Sequence, residues 1–162
     1  MNSVTPAFVR SAVAAPTKAG AYALLISLRS SLAVKAGART ASLAPGLYLY
    51  CGSARGPGGL AARIARHMRR EKRAHWHVDQ LTFEGEVFGA FVFPGGDECA
   101  INATLEALPT PLEGFGSSDC RRCRSHLRYW SKGLRLPRAF EAALGKRHYA
   151  VTDYPFSVGS RS

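Results

Sequence analysis

The sequence predicts an α+β domain: a small mixed or antiparallel sheet flanked by helices. Two stretches, "GAYALLISL" (20–28) and "GLYLYCG" (46–52), alternate on a period of two and are rich in β-favouring residues. From Leu60 the apolar period changes to that of a helix. The segments then follow in the order strand, strand, strand, helix, helix, strand, helix, rather than as repeated strand–helix units. With 162 residues, 46% of them hydrophobic, the chain is long enough for one domain with a core and too short for two ordinary ones.

In the first strand Tyr22, Leu24, Ile26 and Leu28 share one face. "LAVKAG" (32–37) reads as a shorter strand ended by Gly37. The third strand follows Pro45, lies between Gly46 and Gly52, and puts Tyr48 and Tyr50 on the same face. Gly56, Pro57, Gly58 and Gly59 form a turn. Leu60, Ile64 and Met68 then recur at i+4, with Arg63, Arg66, His67 and Arg70 on the adjoining stripe. "HWHVDQLTF" reads as a short helix and "EVFGAFVF" (86–93) as a strand. Asp97 is a good N-cap for a helix turning Ile101, Leu105 and Leu108 inward until Pro109 and Pro111 end it. "FGSSDCRRCRSHLRYW" is a turn-rich link into an apolar-aromatic strand or helix, and "LPRAFEAALG" a short C-terminal helix.

Residues 1–18 read as a loose leader outside the fold rather than a signal peptide, since Pro6, Arg10 and Pro16 interrupt any apolar run. The domain is expected over 19–133, with 134–162 an extension packing on it or trailing it. No stretch approaches the roughly 20 apolar residues of a membrane span, so the expected location is the cytoplasm.

The formal net charge is +11, and its distribution matters more than its size. Residues 55–73 hold seven Lys/Arg against Glu71, and residues 120–140 hold seven more with no acid. Between Ala74 and Cys120 there is no Lys or Arg, while eight of the eleven acids fall there. Two basic blocks around an acidic middle suit a polyanion, with Arg55, Arg66, Arg70, Arg73, Arg121, Arg122 and Arg124 as candidate nucleic-acid contacts. A solubilising charge excess is the plainer alternative.

Four cysteines without an export signal are expected to be thiols or metal ligands. Cys51 and Cys99 sit in apolar contexts and read as core residues. Cys120-x-x-Cys123-x-x-His126 has a spacing that suits Zn²⁺, with His77 or His75 as a fourth ligand. A tight loop that contains cysteines, or a redox-sensitive pair beside Arg121, Arg122 and Arg124, would explain the same residues. Trp76 reads as a core anchor with Asp79 orienting a histidine, or as a face on which a base could stack.

Gly20-Ala21-Tyr22, Tyr50-Cys51-Gly52 and Arg63-Ile64-x-x-His67 resemble the signature of the GIY-YIG nucleases. More closely, "GLYLYCGSARGPGGLAARIARH", "HWHVD", "DEC" and "GFGSSDCRRCRSHL" are similar to a prokaryotic GIY-YIG-like group of unknown function. Some members of that group are fused to glycosylases of the endonuclease III type, which implies a DNA-repair partner. The resemblance covers about residues 19–130. It implies that two strands present the tyrosines, that Tyr22 activates or positions water and that Tyr50 completes the pair. It also implies that Arg63 steadies the phosphate through its bidentate fork. His67 would orient the water or protonate the leaving group, and Glu98 would hold one Mg²⁺ or Mn²⁺. The 27-residue spacer between the two tyrosine motifs is long for such a nuclease and implies an inserted hairpin strand. The glutamate of that family usually lies one turn into its helix, where this chain has Asn102, so Glu98 and Asn102 both compete for the ligand position. The implied activity is metal-dependent DNA cleavage. Its rivals are a nucleic-acid-binding domain without catalysis and a zinc-stabilised structural or adaptor domain.

Overall fold

The computed structural model describes residues 5–118 and 120–145. Strands β1 (Ala7–Val9), β2 (Gly20–Leu28), β5 (Gly46–Ala54), β6 (Glu86–Pro94) and β7 (Leu127–Trp130) form one antiparallel sheet in the order β1-β6-β2-β5-β7. A separate two-stranded sheet pairs β3 (Leu32–Ala36) with β4 (Arg39–Leu43). Four α-helices complete the described part: α1 (Gly59–Met68), α2 (Asp79–Glu84), α3 (Glu98–Thr104) and α4 (Arg138–Leu144). The class is α+β, as the element order predicts.

Strand β2 is central, and all nine of its residues are buried. Its Tyr22, Leu24, Ile26 and Leu28 pack with Leu60 and Ile64 of α1 and Val78 and Leu81 by α2. Ala21, Ala23 and Leu25 on the opposite face meet Ile101 of α3 and Phe140 of α4. Burying a residue such as Leu60 or Ile64 contributes roughly 1.5–3 kcal/mol. The helix boundaries follow local chemistry. The Asp97 carboxylate accepts the Ala100 N–H at 3.1 Å, a side-chain N-cap.

Two parts depart from the sequence reading. The supposed leader joins the fold: β1 pairs with β6, and Val9 and Ala15 are buried. The carbonyls of Pro16 and Lys18 accept the N–H groups of Ala61 and Leu60, capping α1 with backbone instead of a side chain. Gly59 permits that approach, because a Cβ there would overlap the Thr17 and Lys18 carbonyls. Only residues 1–4 of that segment lie outside the described residues. The second departure is that the insertion is a whole hairpin, of which the sequence reading anticipated β3 and missed β4. In the C-terminal extension, Leu136, Phe140 and Leu144 pack on the sheet, and residues 146–162 lie outside the described part. Among the described residues, no helix is long and apolar enough to cross a membrane.

Candidate active site and metal centre

Tyr22 on β2 faces Gly52 on β5, which puts Tyr50 on the diagonal of the same face. One half-open cavity of about 320 Å³ collects Tyr22, Tyr50, Arg63, His67 and Glu98, brought from two strands and two helices. Asn102 does not line it. Its amide donates to the Ser125 carbonyl at 2.8 Å and its oxygen accepts from Arg128, so it ties α3 to the chain before β7. Among the described residues, Glu98 is the carboxylate that lines the cavity. Tyr48 is structural, donating its hydroxyl to the Ala44 carbonyl at 2.6 Å.

The shortest side-chain contact in the cavity joins Tyr22 Oη and His67 Nε2 at 2.6 Å. Burial drives His67 down to about pKa 3, helped by the Lys72 charge, so its ring is neutral at physiological pH. Burial raises the Tyr22 phenol above its usual value, and Arg63 opposes this through its charge and a hydrogen bond. The tautomer of the neutral imidazole sets the direction of this bond: with the proton on Nδ1, Nε2 accepts from the Tyr22 hydroxyl and leaves the phenol oxygen's lone pairs free to accept. His67 Nδ1 is buried with no partner. His67 lines the cavity with its Nε2 engaged by Tyr22.

Arg63 is fixed by donating to the Ser53 carbonyl at 2.9 Å and lies 4.4 Å over the Trp76 ring. Arg66 is engaged by a carboxylate. It gives Asp79 two hydrogen bonds of 2.9 Å, with Asp79 fully buried, and lies 4.0 Å over Trp76. Burial opposes ionisation of Asp79, but Arg66 and the backbone N–H groups of Trp76 and His75 outweigh it and hold the carboxyl at about 2. Asp79 therefore orients an arginine and a turn, and no histidine. Trp76 is the half-buried plate on which both guanidiniums rest.

Of the other candidate arginines, Arg55, Arg73 and Arg121 are exposed. Arg70 is exposed and reaches the Gly85 carbonyl at 3.5 Å. Arg122 pairs with Asp97 at 3.2 Å and Arg124 with Glu113, in solvent-facing contacts that hold weakly.

A second constellation lies beside the cavity. One ligand atom from each of Cys99, Cys120, Cys123 and His126 falls within 4.8 Å of all the others. This Cys₃His cluster could hold a metal ion such as zinc. Around tetrahedral zinc, sulfurs stand roughly 3.8 Å apart, and the Cys99 and Cys120 sulfurs are 3.4 Å apart. Burial, then the Cys123 and Cys120 thiols, push the Cys99 thiol up to about 12. His126 Nε2 is buried and unpartnered, which also fits a ligand.

His77 is not the fourth ligand. Its Nδ1 accepts the Gly116 N–H at 2.8 Å. The fourth member of the cluster is Cys99, which the sequence reading left in the core because its neighbours are apolar. Its signal was the "DEC" stretch, where it follows Glu98 directly. Cys51 is a core thiol, as read.

Residues 21–148 match the protein family described as domain of unknown function DUF123. The chain belongs to that family. No curated protein and no solved structure matches it. The DUF123 match spans both the cavity and the cysteine cluster.

Proposed function

We propose that this DUF123 chain is a metal-dependent endonuclease acting on DNA, carrying a structural zinc ion on Cys99, Cys120, Cys123 and His126. The observation that carries the reading is the 2.6 Å Tyr22–His67 contact inside a cavity that also holds Arg63 and Glu98. The order of these residues along the chain resembles that of the GIY-YIG nucleases.

Phosphodiester hydrolysis needs an oriented water, positive charge at the phosphate oxygens and relief of the leaving oxygen. Tyr22, its proton engaged by His67, offers a fixed acceptor that positions the water. Arg63, held by Ser53 and Trp76, points charge at the phosphate at little reorganisation cost. Tyr50 lines the same cavity beside Tyr22. Glu98 keeps 28% of its side chain exposed. A water-accessible carboxylate fits Mg²⁺ or Mn²⁺, which accept one or two protein carboxylates and keep several waters. Such an ion would supply charge neutralisation and a more acidic water. The exposed arginines of the two basic blocks would grip the flanking backbone, and a DNA-repair enzyme is the partner class that the resemblance implies.

The test is nicking of labelled duplex, flap, junction and single-stranded DNA in Mn²⁺ and in EDTA, with Tyr22→Phe and Glu98→Ala alongside. Cutting that needs the metal and both side chains supports the reading. Salt-sensitive binding without cutting in Mn²⁺ leaves a binding domain instead.

A further inference from the structure

We propose that the ion held by Cys99, Cys120, Cys123 and His126 positions Glu98 for the second, hydrated ion in the cavity, with His126 as the positioning residue. The proposal rests on the reading of Glu98 as that second ion's carboxylate.

Glu98 and Cys99 are consecutive residues in the first turn of α3, so one turn serves both places: Glu98 lines the cavity and Cys99 joins the cluster. A seven-residue helix is marginal by itself, and the setting of its first turn depends on tertiary anchors. The remaining cluster ligands come from the loop that also builds the cavity wall. Cys120 and His126 line the cavity together with Gly116, and Gly116 is pinned by its bond to His77 and by close approach to the Tyr50 ring.

The His126 ring joins the two places directly. Its Nδ1 lies 3.8 Å from Glu98 Oε2, while its Nε2 is buried without a partner. With Nε2 on a metal ion, the ring's one proton sits on Nδ1, facing the carboxylate. At 3.8 Å the two groups are in ion-pair range and not yet hydrogen-bonded; a small turn of the Glu98 side chain would close the carboxylate–histidine–metal arrangement, which fixes tautomer and orientation at once. Filling the cluster therefore aims Glu98, and the protein holds two ions with different tasks.

The experiment uses the full chain, zinc-loaded or stripped by a chelator, with folding followed by circular dichroism. Mn²⁺ affinity is read from the electron paramagnetic resonance of the free ion, in wild type, His126→Cys and Glu98→Gln. His126→Cys offers a fourth thiolate in place of the imidazole and is expected to keep one zinc per chain. We expect zinc removal and His126→Cys each to weaken Mn²⁺ by about tenfold or more, the scale of a lost outer-shell partner. Because coupling is reciprocal, Mn²⁺ must slow zinc transfer to a zinc-selective chelator to a matching degree, in protein that stays folded. Glu98→Gln should abolish that effect. Equal Mn²⁺ affinity with and without zinc, or zinc retention indifferent to Mn²⁺, overturns the proposal while leaving Glu98 as the Mn²⁺ ligand. If Glu98→Gln binds Mn²⁺ as wild type does, the role of Glu98 falls and the proposal with it.

Discussion

Tyr22 and Gly52 stand opposite each other in the β2–β5 ladder, and a Cβ on residue 52 would overlap the Tyr22 hydroxyl. The glycine of Tyr50-Cys51-Gly52 therefore makes room for Tyr22 to reach His67. Gly52→Ala should push the hydroxyl aside and break the 2.6 Å contact. The expected outcome is a loss of about 1–3 kcal/mol in stability, with a fall in cleavage rate of about 100-fold or more. Chemical unfolding and single-turnover rates on the same preparation check both.

His67 should make the protein acid-sensitive. Its folded pKa of about 3 lies below the ordinary 6.5, so the unfolded chain takes up the proton first. Its contribution is complete above about pH 6.5 and lost as pH falls toward 3, with a slope approaching about 1.4 kcal/mol per unit. Asp79, held at about 2 against an ordinary 3.8, acts in the same direction only below about pH 4. Urea unfolding at pH 7, 5 and 4 should show His67→Gln losing less stability than wild type on acidification. Parallel losses would contradict the buried neutral histidine.

The arginines divide by their partners. Asp79→Ala leaves Arg66 unpaired beneath the surface and should cost about 3 kcal/mol or more. Arg55→Ala and Arg73→Ala, at exposed positions, should change stability by less than about 0.5 kcal/mol. Their effect should appear in DNA binding, where each lost phosphate contact lowers the salt slope by about one. Titrations at several salt concentrations separate the two classes.

Elemental analysis should find one zinc per chain. Cys99→Ser should lose it and melt earlier, whereas Cys51→Ser should retain it, because the Cys51 thiol is buried in the sheet and is not one of the four clustered side chains. Zinc retained in Cys99→Ser would remove that residue from the ligand set.

Much of this architecture was legible because it is local. Alternation wrote β2 and β5 into the sequence, and the glycine turn before an i+4 stripe wrote α1. The gathering of Tyr22, Tyr50, Arg63, His67 and Glu98 was legible only through motif order. What stayed hidden depends on tertiary partners. Arg66 read only as one of a row of candidate nucleic-acid contacts, because its partner Asp79 lies thirteen residues on. Cys99 looked apolar because its ligand partners begin 21 residues later. The first strand escaped notice because it has three residues and gains its meaning from pairing with β6.

The most direct test of the account is single-turnover cleavage of one labelled phosphodiester in Mn²⁺, comparing wild type with Tyr22→Phe while DNA affinity is measured in parallel. The account predicts a rate lower by about 100-fold or more at unchanged affinity. Equal rates for the two proteins, or no cleavage by wild type at saturating Mn²⁺, would contradict it.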